Sequence, residues 1–128
     1  MPVTAADLVA QARARIREIA PQALHAQPQP SVLIDVREPA EFQTGHLAGA
    51  VNIPRGVLEF QVEAHPAVAN VSDPALAHKT QAIVLYCRTG GRAALAALSL
   101  QQMGFTQACS LAGGIDGWIA AGLPVTQR

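Results

Sequence analysis

One segment of this 128-residue chain gathers the groups best suited to chemistry. In VLYCRTGGRA (84–93), Cys87 follows an apolar run and precedes Arg88, Thr89, the pair Gly90 and Gly91, and then Arg92. AIVLYC (82–87) reads as a buried strand, and residues 91–103 read as a helix ended by Gly104. The cysteine therefore stands where a strand stops and a helix starts. The first amides of a helix lack intrahelical acceptors and carry partial positive charge. Gly90 and Gly91 have no side chain to cover the backbone, so several N–H groups can curl inward as an anion-binding nest. Arg88 and Arg92 add fixed positive charge. Such a bowl favours a thiolate, which is the nucleophilic form of cysteine. The competing reading is an inert core cysteine beside an ordinary glycine turn. The coincidence of strand, Gly-Gly, two arginines and helix in one phase favours the nucleophile.

The elements that must position this loop are legible as alternating short strands and helices. Residues 4–14 read as a helix, with Thr4 and Asp7 at capping-box spacing. Beyond residue 14 the pattern supports two readings. Leu8, Ala12, Ile16 and Ile19 share a face if the helix continues to residue 19. Alternatively 16–19 is a strand and Pro21 opens a second helix. VLID (32–35) is a strand, Glu38-Pro39 begins a helix that Gly45 ends, AVNIP (50–54) is a strand, and 56–64 is a helix. Residues 65–80 form a surface excursion, QACSL (107–111) a last strand, and Gly113-Gly114 leads into a final helix near Trp118. This alternation implies α/β architecture with a mainly parallel sheet covered on both faces. Ligands of such sheets sit beyond the carboxyl ends of the strands, where Cys87 lies.

Composition narrows the function classes. Half of the residues are hydrophobic, 14% are charged and the formal net charge is zero, so a packed core is expected and no basic face for nucleic acid stands out. Cys87 and Cys109 are too few for a disulfide framework, and no CxxC pair or metal-spaced histidines occur. Neither a metal nor another cofactor is expected. No signal-peptide pattern and no apolar run of ~18 residues occurs, so a cytoplasmic protein without a membrane partner is expected.

Three segments in order resemble the single-domain rhodanese, or thiosulfate sulfurtransferase, family. They are LIDVREPAEFQTGHLAGAVNIP (33–54), VLYCRTGGRA (84–93) and LAGGIDGW (111–118). The resemblance implies a rhodanese-like domain over 31–128 with a five-stranded sheet, and residues 1–30 as a helical extension packed on it. It also implies that Cys87 takes a sulfane sulfur from a small anionic donor and passes the persulfide sulfur to cyanide, a thiol or a protein acceptor. The backbone of Thr89, Gly90 and Gly91, with Arg88 and Arg92, would hold the donor. A sulfur-carrying module with little turnover is the alternative. Related phosphatases and arsenate reductases have one residue more between cysteine and arginine than the four (88–91) found here. The shorter bowl suits sulfur better than a tetrahedral oxyanion.

Other polar residues are read structurally. Arg37 is expected to pair with a nearby carboxylate and fix a strand-to-helix turn, with Asp35 bordering the pocket. His46 is expected to bond the backbone, and His25, His65 and His78 to be solvated. Arg55 is a candidate rim contact for an anion, with a solvated surface arginine as the equal alternative. Cys109 and Trp118 read as core.

Overall fold

The computed structural model describes residues 2–27, 31–68 and 79–127. Helix α1 (Ala5–Arg13) opens the chain. The Thr4 hydroxyl accepts the Asp7 amide and the Asp7 carboxylate accepts the Thr4 amide, each at 3.0 Å. This is the reciprocal cap that the Thr-x-x-Asp spacing predicts. The helix does not continue to residue 19. Instead β1 (Arg17–Ile19) follows, and Pro21 opens α2 (Pro21–His25). Next come β2 (Val32–Asp35), α3 (Pro39–Gln43) and β3 (Val51–Asn52). The single helix expected over 56–64 is instead a 3-10 turn (Arg55–Val57), one α turn, α4 (Leu58–Gln61), and another 3-10 turn (Val62–Ala64). Gly56, Val57 and Val62 are poor helix formers, so the segment does not hold one regular helix. Of the excursion expected over 65–80, residues 69–78, His78 among them, lie outside the described residues. The chain then runs through β4 (Ile83–Tyr86), α5 (Gly91–Gln102), β5 (Ala108–Leu111) and α6 (Gly114–Ala120).

The five strands form one parallel sheet in the order β1-β5-β4-β2-β3. Strand β4 is central and buried throughout. It pairs with β2 from Val32↔Ile83 to Asp35↔Tyr86 and with β5 from Ile83↔Ala108 to Leu85↔Ser110. The carboxyl ends of β2, β4 and β5 thus stand side by side. The edge strand β1 comes from the N-terminal segment and pairs Arg17↔Cys109 through Ile19↔Leu111.

Alternation along β4 sends Ile83, Leu85 and Cys87 to one core, with Ala93, Ala96, Ala97, Leu100 and Phe105 of the α5 side. Val84 and Tyr86 face the other core, with Leu24, Leu47, Leu111, Ile115 and Trp118. Buried alanines at 93, 96 and 97 with Leu100 fall at helical spacing, and their small side chains let α5 lie close on the sheet. Helix α1 packs in turn on α5.

A buried ion pair shapes the turn after β2. Arg37 Nε and Nη2 donate to the Asp35 carboxylate at 3.0 and 2.7 Å, and Nη2 also donates to the Gly45 carbonyl at 2.7 Å. Asn52 Nδ2 clamps the same turn by donating to the carbonyls of Asp35 and Arg37. The expected pairing of Arg37 with a neighbouring carboxylate is therefore present. Asp35→Asn leaves the guanidinium buried without its counter-ion. Chemical denaturation should show a loss of about 3–5 kcal/mol, and a loss below about 1 kcal/mol would contradict this role.

Candidate active site

Cys87 leaves the carboxyl end of β4 and is 1% exposed. Its sulfur turns toward the loop, where the Gly90 amide donates to Sγ at 3.1 Å. Gly90 holds φ at +122°, a conformation that disfavours any side chain, and its carbonyl accepts the first helical bond of α5 from Ala94. The thiol thus sits at the end of an apolar core with its polar edge on the loop backbone.

The loop is fastened from behind by α6. The Ile115 amide donates to the Cys87 carbonyl at 2.9 Å and the Asp116 amide to the Arg88 carbonyl at 3.1 Å. A trans peptide sets its N–H opposite its C=O. The amides of Arg88 and Thr89 consequently point away from α6. Gly114 makes this approach feasible. A Cβ there would fall against the Arg88 carbonyl and 2.6 Å from the Cys87 oxygen, at a backbone φ of +61°.

The two loop arginines both meet carboxylates. Arg92 Nη1 and Nη2 donate to Glu41 Oε1 and Oε2 at 2.8 and 3.1 Å. Arg88 is 70% exposed at its side chain, with Nε 3.5 Å from the Asp116 carboxylate. The Arg92 hydrogen bonds hold the Glu41 carboxyl far below the usual carboxylate range, at about 2. Thr89 is exposed and Gly91 begins α5. A cleft of about 450 Å³ opens beside the loop, lined by Arg37, Glu41, Arg88, Ile115, Asp116 and Ile119, among others. It offers room for a small anion or for a segment of an acceptor.

The remaining candidates separate clearly. Asp35 is fully buried in its ion pair with Arg37 and reaches no cleft surface, so it does not border the pocket. Arg55 is turned toward α4 and α5, donating to Glu59 at 2.9 Å and to the Ser99 hydroxyl at 3.2 Å. Ser99 lies eight residues beyond Gly91, about 12 Å along the helix from the loop. His46 is buried, donates from Nδ1 to the Phe42 carbonyl and stacks on the Phe42 ring at 3.7 Å, as expected of a structural histidine. His65 is half-buried and its Nδ1 accepts the Ala67 amide, so it is not simply solvated. His25 stands edge-on to Trp118. Trp118 itself is core, with Nε1 donating to the Pro124 carbonyl. Cys109 pairs with Val84, three residues before Cys87, and packs on the opposite core. That offset puts the Cα atoms about 11 Å apart, beyond the roughly 7 Å a disulfide spans. Burial pushes the Cys109 thiol up, away from reactivity. Among the described residues no three His, Cys, Asp or Glu side chains gather in a way that could hold a metal.

Two contributors went unread in the sequence. Glu41 supplies the Arg92 counter-ion from 51 residues away along the chain. Tyr86 is fully buried next to Cys87 and its hydroxyl accepts the Leu47 amide. Burial, with the Asp35 carboxylate nearby, pushes its phenol far above the ordinary range.

Known proteins share this fold. The family model for the rhodanese-like domain matches residues 19–121. The chain belongs to the rhodanese-like domain family. It is 31% identical over 94 residues to a sulfurtransferase of Allochromatium vinosum, covering 73% of this chain and 77% of the relative. It is 33% identical over 96 residues to a chloroplastic thiosulfate sulfurtransferase of Arabidopsis thaliana, covering 71% and 76%. A solved structure from Rhodopseudomonas palustris, described as a possible tyrosine phosphatase, superposes with a TM-score of 0.77 at 29% identity, covering 98% of this chain and 99% of its own. No helix among the described residues is long and apolar enough to cross a membrane.

Two outcomes follow from the rhodanese-like loop. Gly114→Ala forces a methyl group into the loop backbone at a positive φ and should lower stability by more than about 2 kcal/mol. An unchanged melting temperature would show that α6 does not grip the loop. The Glu41 carboxylate is favoured in the folded protein, so its contribution is full above its ordinary value of 4.5 and disappears as pH falls toward about 2. The melting-temperature difference between wild type and Glu41→Gln should shrink to nothing across that window. A constant difference would exclude the ion pair as its source.

Proposed function

We propose that the protein is a sulfurtransferase working through a Cys87 persulfide. The Cys87 thiolate attacks the sulfane sulfur of an anionic donor such as thiosulfate. A new S–S bond forms, the donor S–S bond breaks, and sulfite leaves with the electron pair. A thiophilic acceptor, cyanide or a thiol, then takes the terminal sulfur and releases the thiolate. The observation that carries this reading is the Gly90 amide on Cys87 Sγ at 3.1 Å, at the head of a helix and in a rhodanese-like chain. Amides of the curled loop, those of Thr89 and Gly91 among them, would hold the persulfide, with Arg88 beside the donor and Arg92, held by Glu41, bordering the site without gripping it. A protein acceptor would have the adjoining cleft to dock in. No cofactor enters this chemistry, and two free cysteines suit a reducing, cytoplasmic setting.

The phosphatase description of the R. palustris structure raises a second reading. Arg92 weighs against it. Both of its terminal nitrogens face Glu41, whereas a phosphate monoester needs that fork for itself. The short loop weighs the same way. Incubation with thiosulfate should add one sulfur atom to the intact mass, and Cys87→Ala should abolish the gain. Absence of the gain in wild type, together with Cys87-dependent hydrolysis of an aryl phosphate, would transfer the assignment to phosphate chemistry.

A further inference from the structure

A third guanidinium borders the loop, and it comes from ahead of the stretch that the family model matches. Arg13 closes α1, ahead of residue 19 where the family match begins. Helix α1 lies along α5, and a Cβ added at Gly91 would meet its Val9 at 3.6 Å. At Gly90 the approach is closer. A Cβ there would stand 2.8 Å from Arg13 Nη2, and Gly90 is buried although it heads a surface loop. Because the same Gly90 donates its amide to Cys87 Sγ at 3.1 Å, bond lengths put Nη2 within about 9 Å of the sulfur.

The charge already committed around the loop makes this placement consequential. Arg92 is matched in a two-pronged pair by Glu41, and Arg88 faces Asp116 at 3.5 Å. The carboxylate neighbour of Arg13 among the described residues is Glu18, 3.9 Å from Nε and beyond hydrogen-bond distance. Neither Arg13 nor Arg88 hydrogen-bonds its carboxylate neighbour, and Arg13 stands the farther from its own.

We propose that Arg13 is a donor-specificity residue, a guanidinium available beside Arg88 to an incoming anion once Glu41 has matched Arg92. Helix α1 then sets the preference of the site for a doubly charged donor of the thiosulfate kind. The proposal rests on the sulfurtransferase reading for the nature of the donor, but its electrostatic content can be read without sulfur transfer.

Two measurements on the full chain test it. One is the thiosulfate concentration that half-saturates sulfur loading of Cys87. The other is the ratio of alkylation rates at Cys87 by iodoacetate, an anion, and iodoacetamide, its neutral counterpart, read by peptide mass with Cys109 as the internal standard. Arg13→Gln should raise the half-saturating thiosulfate about tenfold and lower the alkylation ratio at Cys87 at least about threefold, leaving Cys109 unchanged. Arg13→Lys should keep most of both. Arg15→Gln removes the same charge from an exposed residue beside Leu98 and should alter neither. Wild type that loads sulfur while Arg13→Gln matches it in both measurements overturns the role of Arg13, as does an equal fall in Arg15→Gln. Wild type that loads no sulfur, with the ratio still falling in Arg13→Gln alone, overturns the sulfurtransferase reading and supports Arg13 as an anion contact.

Discussion

The close approach of the Gly113-Gly114 turn to the Cys87–Arg88 peptide governs this site. Two carbonyls at the start of the loop are held by the first amides of α6, so the amides on the far side of those peptides cannot turn back. Gly90 then reverses the chain at a positive φ and lays its own amide on the sulfur. Neither half suffices alone. Without α6 the loop carbonyls would be free to rotate inward and confront an anion with negative oxygens. Without Gly90 the helix would start with its leading amide turned away from the thiol. The Gly-Gly pair near residue 113 is thus as much a part of the loop's construction as the Gly-Gly pair at 90, although 23 residues separate Gly90 from Gly113.

Charge around the bowl is balanced rather than simply positive. Glu41 serves two elements at once: Oε1 accepts the Glu38 amide in the cap of α3 at 3.0 Å and receives Arg92 at 2.8 Å. Helix α3 is itself set by the turn that Asp35, Arg37 and Asn52 lock together. A buried ion pair is costly unless its hydrogen bonds are satisfied. Here Asp35 and Arg37 share several bonds and the Gly45 carbonyl takes a further one, so the pair fixes a direction for the chain. That direction delivers Glu41 to Arg92. The result is a guanidinium with a defined orientation, in place of one that sweeps through solvent.

The residues that were legible and those that were not differ in kind. Cys87, its strand and its helix could be read because an apolar run, two glycines and an alanine-rich stretch act within a few residues of each other. The cap at Thr4 and Asp7 was legible for the same reason. The pairing of Glu41 with Arg92 spans 51 residues and left no local mark. Arg55 shows the converse. Its i,i+4 relation to Glu59 was present in the sequence, and that pair draws the guanidinium toward α4 and α5. Asp35 ends its strand near Cys87, as expected, but the parity of the strand and the reach of Arg37 keep it inside.

From the sequence alone came the alternation of strands and helices, hence a parallel sheet, and the position of one cysteine at the mouth of a glycine turn. These depend on backbone preferences and on the period of apolar residues, which near neighbours decide. The tertiary structure alone decided that β1 joins the sheet, that the two cysteines fall on opposite cores, that each loop arginine meets a carboxylate, and that Arg13 reaches Gly90. Those outcomes depend on strand register and helix packing, which bring together side chains whose separation along the chain says nothing about their distance in space.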